Sequence, residues 1–361
     1  MRVRPSVLFA LSQLVVCNSH TAIPSAGPYP PSELIVQLTW DTNVIKLKDG
    51  AGDNWPITWV DDNLQITAYG DGDGFDGQKR NLSLGFARIC GDPPNHRAED
   101  FASDVDTPEG GGSKGIKASG LLAVDGTLYL FVRNYRPGDS DDYTNSALAW
   151  STNRGTNWAW ASWHFSGTFG CPEFVQFGKN YQGARDDYVY IVSQANDSAY
   201  SYSPDIVMAR VPKDKIPDRS RYDFFAGLDA SGNPVWSPDI TKRAPIFTDR
   251  NGVQRIAITY NAALQRYILT TSHRPPGNRA VHTPALGVFD APQPWGPWTT
   301  VCYDHNWSEG SRTYHHKFPT KWMSGDGKTM WLLFSGLDGG YYTLCVRKAT
   351  LKISASGSRS P

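Results

Sequence analysis

Neither sign of charge is in excess in this 361-residue chain: 35 Lys and Arg residues balance 35 Asp and Glu. A chain so balanced has no bulk attraction for nucleic acid or anionic lipid, so neither partner is expected. Cysteine is scarce, five in all, and the absence of a Cys-x-x-Cys pair or a His/Cys cluster argues against structural zinc. A phosphate-cradling Gly-x-x-x-x-Gly-Lys-Ser/Thr loop is also missing. Beyond the first residues no apolar run is long enough to anchor the chain in a bilayer.

The first residues read as a targeting segment. Arg2 and Arg4 precede the apolar run 7–16, and Ser19 and Ala22 supply small residues for cleavage. A signal peptide over 1–22 is therefore expected, with the mature protein secreted and extracellular. Its removal takes away Cys17 and leaves Cys90, Cys171, Cys302 and Cys345. That even number permits two disulfides in an oxidising compartment, in any of three pairings. Sequons starting at Asn81, Asn196 and Asn306 are compatible with N-glycosylation in a eukaryotic host. A monomer is expected.

What the chain does have is a recurring hairpin. Its first copy runs through Trp55, Ile57, Trp59 and Val60, turns at Asp61-Asp62-Asn63 and returns through Leu64, Ile66 and Tyr69. Later second strands fall near residues 127–132, 188–192, 266–270 and 330–334, and the five exits are spaced by about 60 to 80 residues. All-strand units at a long, near-even period indicate a radial array. The expected fold is all-β: a single-domain, five-bladed β-propeller over 33–353. A Pro-rich lead-in (23–32) precedes it and a Ser/Gly-rich tail (354–361) follows. The strand beginning at Glu33 is expected to complete the last blade, and the first strand of that blade is expected at 318–323. Residues 151–158, Ser-Thr-Asn-Arg-Gly-Thr-Asn-Trp, resemble an Asp-box, a turn between outer strands whose Trp packs between blades. The 13 Trp and 17 Tyr fit a sheet-rich core, with some rings left to stack on sugar faces.

In such an array the entries of first strands and the exits of second strands share one pole. Asp53 and Asp71 lie about nine residues either side of the first turn and become lateral neighbours, within roughly 5 Å at the β-carbon if directly paired. Two carboxylates at the mouth of a depression suit glycoside hydrolysis, one donating a proton while the other attacks or activates water. Calcium is a second reason for acids to cluster in 70–76, as a structural or site ion; no other cofactor is expected. Asn54 and Trp55 follow Asp53 and are expected to bind substrate beside it. The same construction brings Lys117, Arg133, Asn134, Glu173, His273, Arg312 and His316 to the walls, a mixture suited to a hydroxyl-rich or carboxylate-bearing sugar. His315 and His316 point to opposite faces of an extended strand and do not make a ready metal pair.

Several segments together resemble secreted proteins grouped as domain of unknown function 4185. They include Gly52-Asp53-Asn54-Trp55-Pro56 with Tyr69-Gly70-Asp71-Gly72, Lys117-Ala118-Ser119-Gly120, Phe169-Gly170-Cys171-Pro172, Gly183-Ala184-Arg185-Asp186 and Phe318-Pro319-Thr320-Lys321-Trp322. The resemblance implies a five-bladed propeller similar to arabinanase-type glycosidases, and arabinan-degrading members with paired catalytic aspartates agree with Asp53 and Asp71. The expected function is a glycoside hydrolase acting on an arabinan-type or related polysaccharide or oligosaccharide. A uronate-specific lyase and a non-catalytic sugar-binding propeller are the alternatives. The charged run from Arg312 to Lys317 departs from the resemblance and marks a different substrate.

Overall fold

The computed structural model describes residues 27–77, 81–108, 115–134 and 145–355. The expected leader, the start of the lead-in and the end of the tail fall outside them. Within the described residues the chain is all-β, with three-residue 3₁₀ turns and no α-helix. The strands form sheets of four, four, nine and five strands. The nine-stranded sheet is two meanders joined where Ser203–Pro212 pairs with the first part of the long strand Pro245–Asn261.

Each meander begins with an inner strand and proceeds outward by antiparallel neighbours. The first is Ile57–Asp61, Leu64–Tyr69, Leu82–Cys90 and Arg97–Phe101. The second is Lys117–Val124, Thr127–Arg133, Asn145–Ser151 and Ala159–Ser166. Glu173–Phe174 starts the third, followed by Tyr188–Gln194, Ser203–Pro212 and Asp223–Leu228. Pro245–Asn261, Arg266–His273, Leu286–Ala291 and Thr299–Asp304 make the fourth. The fifth runs Thr313–Lys317, Thr329–Gly336 and Cys345–Ile353, and the N-terminal strand Ile35–Lys46 completes it from outside.

The sequence explains these elements locally. Lys117–Val124 is buried at every position, the signature of a strand covered on both faces. Its hairpin turns at Asp125-Gly126, where both residues have positive φ (47° and 85°), as the tight right-twisting turn demands. In the Asp-box-like turn Asn153 Oδ1 accepts from the Asn157 backbone N–H at 2.9 Å, and Ser151 Oγ accepts from Gly155 N–H at 2.9 Å. Trp158 then stacks on Phe86, ring centroids 5.5 Å apart, between the first and second meanders.

The apolar clusters follow the same order. One joins the first and second meanders through Ile66, Phe86, Leu121 and Trp158. Another unites the second, third and fourth. Ile268, Val288, Leu332 and Phe334 join the fourth to the fifth, and Trp55, Ile57, Trp322 and Val346 join the fifth back to the first.

Two expectations are corrected. The first strand of the last meander is Thr313–Lys317 rather than 318–323, which holds the 3₁₀ turn Thr320–Trp322. Pro319, lacking an N–H and fixed in φ, ends the strand there. The disulfides are also absent: Cys90, Cys171, Cys302 and Cys345 are free thiols. Cys90, Cys302 and Cys345 lie on strands of the first, fourth and fifth meanders and Cys171 just before the third, so each faces its own surroundings rather than another sulfur.

Trp158→Ala should cost about 3–5 kcal/mol by opening the space between two meanders. A lower urea midpoint with an unchanged transition slope would report it; a midpoint within experimental error of the parent would show that the ring does not bind the two meanders together.

Candidate active site

Asp53 and Asp71 are set by a short ladder at the entry of the first meander. The Asp53 backbone N–H donates to Gly70 O at 2.9 Å, and the Gly70 N–H returns a bond to Asp53 O at 3.2 Å. Asp71 follows at φ 52°, and the chain leaves through Gly72, where a Cβ would lie 2.2 Å from Ala51 O. Only glycine fits so close to another backbone. Asn54 and Trp55 also have positive φ, 74° and 44°. Such residues cost on the order of 1–3 kcal/mol each and persist only where their surroundings hold them. Here Trp55 Nε1 donates to Thr343 O at 3.0 Å, Asn54 N–H donates to Ser335 Oγ at 3.2 Å, and Arg255 Nη1 donates to Asn54 Oδ1.

The two carboxyl groups have different surroundings. Asp53 Oδ2 accepts from the Tyr314 hydroxyl at 2.7 Å and Oδ1 accepts from Asn54 Nδ2 at 2.6 Å. Asp71 is ion-paired with Lys117 Nζ, which also donates to Ser83 Oγ at 3.3 Å. Burial and the nearby Asp53 carboxylate raise the Asp71 carboxyl above its ordinary range, against the opposing pull of Lys117 and Arg133. Tyr342 donates its hydroxyl to Asp71 O at 2.8 Å. Burial and then the Asp53 carboxylate, to which it hydrogen-bonds, hold Tyr314 well above the usual phenol range.

Arg133, at the end of the second meander's second strand, is 1% exposed and donates Nη1 to Ala118 O at 2.6 Å. Asn134 donates Nδ2 to Gly115 O at 3.3 Å. Glu173, Lys317 and His315 form a group of their own beneath the pole: Lys317 Nζ donates to Glu173 Oε2 at 2.9 Å, and His315 Nε2 lies 3.1 Å from that oxygen. All three are buried. Burial raises Glu173, depresses Lys317, and together with the Lys317 charge pushes His315 well down. Glu173 and Lys317 also line a narrow space with Ile57, Gln65, Gln176 and Thr259.

The remaining sequence-predicted residues point elsewhere. His273 stacks on Tyr303 at 3.8 Å, with Nε2 3.0 Å from His305 Nδ1. His316 turns into the apolar seam beside Trp307 and Phe334, with Nε2 3.1 Å from Thr313 Oγ1. Arg312 sits at the exposed rim, gripping Asp338 through Nε (2.8 Å) and Nη2 (2.7 Å). Among the neighbouring acids, Asp73 Oδ1 accepts from Asn81 N–H at 3.0 Å, and Asp76 is exposed. Among the described residues no three His, Cys, Asp or Glu side chains group as a metal site.

Sequence reading missed Arg255, Tyr314, Tyr342, Tyr200 and His282. Arg255 lies at a bulge between Gln254 and Ala257, at φ 51°, where alternation of faces fails. Its one sequence signal is a polar pair, Gln254-Arg255, interrupting an apolar run. His282 stacks on Tyr314 at 4.1 Å from a loop, and its pKa is held down to about 3 by burial and by Arg255, Arg133 and Arg312.

The sequence model of the family described as "Domain of unknown function (DUF4185)" matches residues 75–314. The chain belongs to this family. Asp53 and Asp71 lie just before the matched segment. No curated protein matches the chain. The fold of this DUF4185 member is similar to the exo-β-1,3-galactanase of Phanerochaete chrysosporium, at 10% identity and TM-score 0.51, covering 87% of this chain and 67% of that one. It is similar also to an N-acetylgalactosamine deacetylase from F. plautii, at 10% identity and TM-score 0.51, covering 92% and 95%. The α-L-arabinofuranosidase of Podospora anserina aligns at 11% identity and TM-score 0.49, over 89% and 98%. At these identities the likeness is one of fold alone: all-β and propeller-like.

Glu173→Gln leaves the Lys317 ammonium buried without its carboxylate and should destabilise by about 3–5 kcal/mol. Replacing both, Glu173→Gln with Lys317→Met, should recover most of the loss in urea denaturation. A single variant as stable as the parent would show that the pair is not what holds the axis.

Proposed function

We propose that this chain is a secreted glycoside hydrolase acting on an arabinan-type or related polysaccharide, with Asp53 and Asp71 as its working carboxylates. The observation that carries the reading is the pairing of two carboxyl groups with opposed surroundings on one ladder. Asp71, raised by burial and by its neighbour, is suited to hold the proton that goes to the leaving oxygen. Asp53, which accepts hydrogen bonds from Tyr314 and Asn54, is suited to remain the anion that attacks carbon or activates water. Lys117 and Arg133 limit how far Asp71 rises and keep its proton transferable. Half-buried Tyr200 and Tyr342 beside the pair offer ring faces to a sugar.

The architecture that supports this reading is a five-bladed propeller in which each meander is one blade. Supporting it are the cyclic order of the apolar clusters, fifth back to first, and the joining of the chain's two ends in one sheet. A ring of this kind brings inner-strand entries to a common pole without a dedicated active-site domain.

A lyase acting on uronates is the second reading, favoured by the buried cations Lys117, Arg133 and Arg255, the last of them 5.8 Å from the Tyr314 ring. Its product carries a double bond conjugated to a carboxylate and absorbs in the near ultraviolet, which hydrolysis cannot produce. Cleavage of a glycan with such absorbance, and with Asp71→Asn still active, would replace hydrolysis by elimination.

For hydrolysis, Asp53→Asn and Asp71→Asn should each lower kcat by about 100-fold or more while the protein stays folded. Because the acid must be protonated, kcat/KM should fall as pH rises through the Asp71 pKa, with that limb above the ordinary aspartate value of about 3.9. Near-normal turnover in both folded variants would remove the pair from the mechanism, and binding without cleavage across a glycan panel would leave a sugar-binding protein.

A further inference from the structure

A row of alternating arginines and tyrosines leads away from the aspartate pair. The loop after the third meander's second strand carries Tyr200 and Tyr202 across the pole. The Arg133 guanidinium lies 5.6 Å from the Tyr200 ring and Arg255 lies 5.1 Å from it. Tyr202 packs its Cβ over Gly252, where a Cβ would come within 3.0 Å, and Arg274 sits 4.3 Å from the Tyr202 ring. The order is Arg133, Tyr200, Arg255, Tyr202, Arg274, drawn from the ends of the second strands of the second and fourth meanders, the inner strand of the fourth and one loop.

Among the described residues, none of these three arginines forms an ion pair with a carboxylate. Arg133 is 1% exposed, and its Nε is buried without a hydrogen-bond partner. The Arg274 Nε is likewise buried and unpartnered. Arg255, 2% exposed, uses Nε on Ala199 O at 3.0 Å and Nη1 on Asn54 Oδ1, both neutral acceptors. A buried donor left without an acceptor costs on the order of 1–3 kcal/mol, more for a charged group. Three guanidinium groups with no carboxylate in direct contact, only Arg133 feeling the charge of Asp53 and Asp71 from nearby, therefore make a site that an anion would complete. Tyr200, Tyr202 and Arg274 are half-buried, so the row is open at those residues and closed over Arg133 and Arg255.

We propose that this row is a subsite for the carboxylate of a uronic acid residue, so that the glycan cleaved is an acidic one. This inference rests on the hydrolase reading above. A planar carboxylate matches the guanidinium fork, while a sugar ring matches the phenol faces between the forks. The Asp53 carboxylate repels an anion, so the charged unit sits next to the unit being cleaved, toward Arg255 and Arg274, and the bond cut is on its neighbour. The aspartates and the arginines thus act on adjacent sugars instead of opposing one another on the same one.

Calorimetry on the Asp71→Asn protein can compare galacturonate-containing oligosaccharides with neutral arabino-oligosaccharides and sulfated galacto-oligosaccharides of equal length. The uronate-containing ligands should bind at least tenfold more tightly than the neutral ones, and weaken with added salt. Arg274→Ala in the same background should remove most of that difference. In the otherwise unchanged enzyme, Arg274→Ala should raise KM for the acidic glycan about tenfold with kcat little altered. Equal affinity for acidic and neutral ligands, or an unchanged difference in Arg274→Ala, would overturn the subsite even if neutral glycans are hydrolysed. Preference for the sulfated ligand would overturn the carboxylate assignment. Salt-sensitive uronate binding with no cleavage by the parent enzyme would keep the subsite and overturn hydrolysis. Neither binding nor cleavage would overturn both.

Discussion

One buried ion pair ties the structure across its middle. Glu173 opens the third meander and Lys317 ends the inner strand of the fifth, yet Lys317 Nζ donates to Glu173 Oε2 at 2.9 Å with both side chains out of solvent. Taking two charges out of water costs several kcal/mol each, and their attraction offsets that only while both are present and well placed. The pair therefore fixes the relative position of two distant stretches of chain. Gly120 shares in this constraint: a Cβ there would come within 2.8 Å of Pro172 O and 3.0 Å of the Glu173 Cα. The inner strand of the second meander is thus pressed against the start of the third, and Lys117 at its start is carried to the pole with Arg133, its partner on the next strand.

Above that axis the chain is strained where the chemistry is proposed. Three non-glycine residues, Asn54, Trp55 and Asp71, have positive φ on the two sides of a single small ladder. The cost is met by contacts from far along the chain, Ser335, Thr343 and Arg255. Because those partners belong to the fourth and fifth meanders, the geometry of the first meander's acids depends on the assembled array. An isolated first hairpin, of a kind marginally stable in water, would not hold it.

This dependence also sets what was legible in the sequence. Asp53 and Asp71 could be placed together because a hairpin's geometry follows from its turn, and Asp61 and Leu64 do pair across it. The second strands were legible for the same reason, as apolar runs bounded by turn residues. Arg255 was not, because a bulge at a left-handed residue breaks the alternation on which such reading rests. The last inner strand was placed five residues late: its own residues, Thr-Tyr-His-His-Lys, are polar and look like a lead-in, whereas the apolar letters after them belong to a turn that starts at Pro319. Polar residues on an innermost strand are hidden from a hydrophobic pattern by the axis they line. The disulfide expectation failed differently, since an even count of cysteines says nothing of distance, and these four are spread over separate surroundings.

The fold by itself leaves the reaction open. Proteins of similar fold include a galactanase and a deacetylase, which break different bonds, so a shared scaffold cannot assign the reaction. What distinguishes this pole is its balance of charge. Buried cations outnumber the carboxylates that could neutralise them if Asp71 holds its proton, and the local histidines add nothing to that excess. Burial first, and then neighbouring cations that include Arg255 and Arg133, push His282 and His315 toward the neutral form. Protonating Asp71 therefore deepens the positive potential instead of relieving it, and an anionic group on the substrate would restore the balance. On this account the acid and the arginine row are parts of one electrostatic arrangement: the bound anion offsets the cations that would otherwise draw the proton off Asp71, and so supports the protonation state that the leaving oxygen requires.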